Sequence, residues 1–116
     1  MLFVDDEPLL RESIGAWLGG KAGRALCAQD GAEALQILGT NKIDLLLTDV
    51  RMPVMDGIAL LKKVAKAELR PRIILVTGYN DLTPPEAYKL GVDAIVEKPI
   101  DRNELLSAMQ DCLARR

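Results

Sequence analysis

The chain predicts an α/β fold, an open sheet of five parallel strands with helices on both faces. Three observations carry that prediction. Short apolar runs alternate strictly with segments of helical period. The runs are apolar throughout rather than at every second position, as strands buried on both faces must be. Each run closes on a polar or turn residue. With 116 residues, 49% of them hydrophobic, one domain can bury such a core without staples.

The first strand is read as Leu2 to Val4. The helix after it presents Leu10, Ile14, Trp17 and Leu18 on one face, with Pro8 suited to its first turn, Gly19-Gly20 to its stop and Trp17 to the core. The second strand is Ala25 to Ala28, and Asp30 with Glu33 has the spacing of a capping box opening the second helix. Leu45 to Leu47 forms the third strand, and Gly57 to Ala67 supplies the third helix, capped by Asp56. Ile73 to Val76 is the fourth strand. Thr83-Pro84-Pro85 can begin a fourth helix, short because only Glu86 to Leu90 remain before Gly91. Ala94 to Val96 is the fifth strand, and Asp101 with Glu104 opens the fifth helix.

Composition removes several function classes. A net charge of −2 without a basic block argues against direct nucleic-acid binding, which needs clustered Lys and Arg. No apolar run approaches the roughly 18 residues that span a bilayer, and the N-terminus has no basic, cleavable signal. A soluble cytoplasmic protein without membrane contact is expected. Cys27 and Cys112 have no metal-ligand spacing and read as free thiols. The absence of histidine excludes histidine-dependent triads and most zinc catalysis.

In open α/β sheets ligands bind beyond the carboxyl ends of the strands. There the first strand meets Asp5, Asp6 and Glu7, the third Asp49, the fourth Thr77 and the fifth Lys98. Two like charges about 4 Å apart repel by roughly 1 kcal/mol in water and roughly 4 at an effective dielectric of 20, so three carboxylates need a counter-charge. A hard divalent cation with oxygen ligands, Mg²⁺ before Ca²⁺, suits an open cluster with room for water and phosphate oxygens. A metal and a nearby lysine would let a carboxylate attack phosphorus, and Asp49, alone on its strand end, is the candidate nucleophile.

The motifs FVDDEP, LLLTDVRMPVMDG, ILVTG and VEKP, in this order at successive strand ends, resemble the receiver domain of two-component response regulators, the CheY-like family. The resemblance covers essentially the whole chain, 1–116. It implies the flavodoxin-like strand order 2-1-3-4-5 with five flanking helices. It further implies that Asp49 is the phosphoacceptor, Asp6 a direct Mg²⁺ ligand and Asp5 a ligand through water, with the Arg51 backbone carbonyl also on the metal. Thr77 would bond a phosphoryl oxygen, and Lys98 would pair with the phosphate, oriented by a cis peptide bond to Pro99. The implied partners are a sensor histidine kinase or phosphotransfer protein and an unidentified downstream effector. The domain would act as a switch, not an enzyme, catalysing only its own phosphorylation and slow dephosphorylation.

Two other readings compete. An aspartate-nucleophile phosphatase of the haloacid dehalogenase type requires an acid two residues after the nucleophile, where this chain has Arg51. A receiver-fold interaction module that no longer uses phosphate finds support only in Ile95, which stands where many members place a Tyr or Phe, and in Pro84-Pro85. Glu7 reads as a helix N-terminal charge, Gly57 as a turn residue, and Gly19-Gly20-Lys21 as a helix stop that lacks the full phosphate-loop pattern. The resemblance further implies that the positions two after Asp49 and two after Thr77, here Arg51 and Tyr79, control how water reaches phosphorus, and bulk at both predicts a long-lived phosphorylated state.

Overall fold

The computed structural model describes residues 1–22, 25–49, 57–64, 66, 70–78 and 83–114. The strands are β1 (Leu2–Val4), β2 (Leu26–Ala28), β3 (Leu45–Asp49), β4 (Arg72–Thr77) and β5 (Ala94–Glu97). They form one parallel sheet in the order β2-β1-β3-β4-β5. The helices are α1 (Pro8–Ala22), α2 (Gly31–Thr40), α3 (Gly57–Val64), α4 (Pro84–Lys89) and α5 (Arg102–Ala114). Fold class and strand order match the expectation.

Successive strand residues point to opposite faces, and both faces are buried, so the core divides in two. On one face Leu2, Val4, Leu46, Ile73 and Leu75 pack with Ala34 of α2, Leu60, Leu61 and Val64 of α3, and Ala87 of α4. On the other, Phe3, Leu45, Leu47, Ile74 and Val96 pack with Ile14 and Leu18 of α1 and Leu105, Met109 and Cys112 of α5. Ile95 packs against the first cluster as an ordinary partly buried aliphatic. Neither Cys27 nor Cys112 forms a disulfide.

The caps follow the sequence with one addition. Asp30 Oδ1 accepts from Glu33 N at 2.8 Å, and Asp101 Oδ1 accepts from Glu104 N at 3.2 Å. The full reciprocal box forms at α4, where Thr83 Oγ1 accepts from Glu86 N at 3.4 Å and Thr83 N donates to Glu86 Oε2 at 3.3 Å. That cap, with prolines in the first turn, is how a six-residue helix holds its start. Gly91 follows with φ +94°, a conformation that L side chains rarely adopt.

Two expectations need correction. Gly19-Gly20 does not stop α1, which runs on to Ala22. A helical glycine costs about 1 kcal/mol relative to alanine but forbids nothing, and Leu18 already anchors this turn in the core. Trp17 is half-buried at the edge of its cluster, with the Arg102 guanidinium 5.5 Å from its ring centroid. The expected continuation of α3 to Ala67, and the cap at Asp56, lie outside the described residues. Among the described residues no helix is long and apolar enough to cross a membrane.

Candidate functional site

The parallel sheet brings the carboxyl ends of β1, β3, β4 and β5 to one edge. Asp5 follows the last residue of β1, whose Val4 pairs with Thr48, so Asp49 on β3 stands beside it. Asp49 pairs with Val76, and Thr77 is the next residue along β4. Thr77 pairs with Glu97, and Lys98 follows directly. Register alone therefore places these side chains together. Asp5 is fully buried, Asp49 and Thr77 are each 5% exposed, and Asp6 is exposed.

One ammonium joins two of the carboxylates. Lys98 Nζ donates to Asp49 Oδ2 at 2.7 Å and to Asp5 Oδ2 at 3.2 Å. Burial pushes the Lys98 pKa down, but the hydrogen bond and charge of Asp49, with those of Asp5, outweigh it and hold the group above the ordinary lysine value. Lys98 is thus a cation at neutral pH. Its amide donates to the carbonyl of Thr77 at 2.7 Å, which ties the strand ends of β4 and β5 together. The Lys98-Pro99 peptide bond is cis, as the resemblance implied.

Each of Asp5, Asp6 and Asp49 offers a carboxylate oxygen within 4.8 Å of the others. Of the six residues singled out from the sequence, five meet at this edge: Asp5, Asp6, Asp49, Thr77 and Lys98. The sixth, Arg51, lies outside the described residues, as does Tyr79. Glu7 faces solvent, and its amide donates to Asp5 Oδ1 at 2.9 Å, which agrees with a helix-start role.

Two contacts escaped the sequence reading. Arg11 Nη1 donates to the main-chain carbonyl of Asp5 at 2.9 Å, and Thr48 Oγ1 donates to the carbonyl of Asp49 at 3.0 Å. The only signal in the sequence was a cation in the first turn of α1, where the helix dipole favours an anion.

The description "response regulator receiver domain" belongs to the family model that matches residues 1–110. The chain is 32% identical over 114 residues to the transcriptional regulatory protein GlrR of Escherichia coli, a match covering 97% of this chain and 26% of that protein. It is 36% identical over 114 residues to the regulatory protein AtoC of the same organism, covering 97% of this chain and 25% of that one. The chain thus spans about a quarter of the length of these curated relatives. Among solved structures, a response regulator from Chloroflexus aurantiacus superposes with a TM-score of 0.89 at 30% identity, over 97% of this chain and 95% of that one. A receiver domain protein from Clostridium thermocellum gives 0.90 at 29% identity, over 98% and 93%.

Proposed function

The chain belongs to the response regulator receiver domain family, and on that premise we propose that it is a phosphoacceptor switch of a two-component phosphorelay. Asp49 takes a phosphoryl group from the phosphohistidine of a separate sensor histidine kinase or phosphotransfer protein, in a Mg²⁺-dependent reaction. The modified domain then changes its affinity for a downstream effector. The observation that carries this reading is the Lys98 ammonium bonded to both Asp49 and Asp5 at the carboxyl edge of the sheet.

Three carboxylates within 4.8 Å, one of them exposed, fit a hard cation that keeps part of its water shell. Asp6 is read as the direct ligand and Asp5 as a ligand through water, with Asp49 and the Arg51 carbonyl completing the protein's share. Mg²⁺ held there would neutralise the acids and draw charge from the phosphoryl oxygens.

The chain's own residues do the rest. A carboxylate oxygen of Asp49 forms the new bond to phosphorus as the phosphorus–nitrogen bond of the donor breaks. The electron pair leaves with the imidazole nitrogen, which takes up a proton from solvent. Lys98 exchanges its bond to Asp49 for one to a phosphoryl oxygen, and the Thr77 hydroxyl donates to another. Shifting a two-state equilibrium from 1:99 to 99:1 takes about 5.5 kcal/mol. Hydrogen bonds to a charged group contribute about 1.5–3 kcal/mol each, so about two to four of them, from Lys98, Thr77 and backbone amides, supply it. No second substrate is involved: the domain catalyses its own phosphorylation and slow dephosphorylation.

Incubation with a small acyl-phosphate donor and Mg²⁺, followed by intact mass and site mapping, tests this. One phosphoryl group on Asp49, absent in Asp49→Asn, is expected. Phosphate that persists on the variant sinks the assignment, and turnover of a phosphomonoester would favour the phosphatase reading.

A further inference from the structure

Arg11 takes no part in the proposed phosphoryl chemistry, yet its head reaches back to the acid loop. Asp5 is fully buried, and a buried carbonyl needs a partner. β2 ends at Ala28, whose register partner is Val4, so the carbonyl of Asp5 lies past the paired strand and takes its hydrogen bond from Arg11 Nη1 instead, at 2.9 Å. With that bond every polar group of Asp5 is held. Its amide donates to Ala28 O at 3.1 Å, Oδ1 accepts from Glu7 N at 2.9 Å, and Oδ2 accepts from Lys98 Nζ at 3.2 Å. Asp6, exposed, sits between these two pinned residues.

The approach of α1 that allows this has a visible cause. A Cβ built on Gly15, one turn after Arg11, would lie 2.7 Å from Cys27 Sγ, closer than side chains tolerate. Glycine there lets α1 settle against β2, and Cys27 Sγ reaches within 4.0 Å of the Arg11 carbonyl.

We propose that Arg11 is a positioning residue: its guanidinium, anchored on the Asp5 carbonyl, fixes the direction in which the Asp6 carboxylate leaves the loop and so sets the Mg²⁺ affinity of the site. The inference rests on the metal reading given above. Charge and geometry make opposite demands, which makes it decidable. As a bare positive charge beside the acids, Arg11 would repel a divalent cation, and its removal would tighten binding. As an anchor its removal weakens binding.

The test is calorimetric titration of Mg²⁺ into the parent, Arg11→Met and Arg11→Lys, with amide exchange of Glu7 followed in the metal-free proteins. Outer-shell partners commonly change metal affinity 10–100-fold, so Arg11→Met should weaken Mg²⁺ binding by about tenfold or more. The Glu7 amide, bonded to Asp5 Oδ1, should exchange faster, and Arg11→Lys should recover much of both. Equal or tighter binding by folded Arg11→Met overturns the proposal. If Arg11→Met does not fold, Arg11→Gln carries the same expectation and the same refutation. A parent that binds no Mg²⁺ contradicts the metal reading, and Glu7 exchange then decides alone: faster in the variant supports the anchor, unchanged overturns it.

Discussion

The two edges of the sheet treat their carboxylates in opposite ways. At the amino edge, Asp93 precedes β5 and is balanced: Arg72 Nη1 lies 3.6 Å from its Oδ1, and Ile73 N donates to its Oδ2 at 2.8 Å. Asp93 N in turn donates to Ile73 O at 2.8 Å, so the residue splices β4 to the start of β5. At the carboxyl edge three carboxylates cluster, and among the described residues the Lys98 ammonium bonds two of them while Arg11 spends its hydrogen bond on the Asp5 backbone. The three like-charge pairs repel by roughly 3–4 kcal/mol each at an effective dielectric of 20. Lys98 is bonded to two of the three carboxylates, Asp5 and Asp49, and even with the Arg11 guanidinium counted, the acids described at this edge outnumber the described cations that contact it. An acid that serves only structure is matched locally. A surplus of acid at one edge is the charge that the proposed Mg²⁺ would offset.

Removing Lys98 should break the comparison most severely. Lys98→Met removes the ammonium that is bonded to buried Asp5 and Asp49. Breaking a fully buried pair costs about 3–5 kcal/mol, and the part-exposed lysine head lowers the expectation to about 2–4 kcal/mol, measured by denaturant unfolding without metal. Because its folded pKa is raised, this contribution is complete below the ordinary lysine value of 10.5 and disappears as pH climbs through the folded value. Millimolar Mg²⁺ should restore part of the loss, since a cation at the acids substitutes for the missing ammonium. A variant as stable as the parent would mean that the carboxylates need no counter-charge.

Asp93→Ala should cost less, about 1–3 kcal/mol, the desolvation penalty of an unpartnered Ile73 amide. Its response to Mg²⁺ should equal the parent's. A changed response would couple the two edges and undo the contrast between them.

Much of this was legible in the sequence, for reasons particular residues make plain. Strand identity followed from runs such as Ile73–Val76, which two-faced burial requires to be apolar throughout, and the site followed from reading one residue past each run. The α1 boundary differs from the expected one because Gly19-Gly20 is only a weak local penalty, outweighed by the anchoring of Leu18. The box at Thr83-Pro84-Pro85-Glu86 is present in the sequence as cap-x-x-Glu, with the two prolines as a second, separate start signal. Arg11 was not legible, because its bond to Asp5 depends on how closely α1 approaches β2. That approach is set by the tertiary pairing of Gly15 with Cys27.

The central claim is that the surplus charge at the carboxyl edge awaits a cation, and thermal unfolding with and without millimolar Mg²⁺ tests it most directly in the parent, Asp6→Asn and Asp93→Ala. A ligand at 100 times its Kd stabilises the folded state by about 2.7 kcal/mol. The account predicts a clear Mg²⁺-dependent rise in Tm for the parent and for Asp93→Ala. For Asp6→Asn it predicts a markedly smaller rise, from a metal-free Tm no lower than the parent's, because one like charge has gone. An equal Mg²⁺ response in Asp6→Asn and parent, or none in the parent, would contradict it.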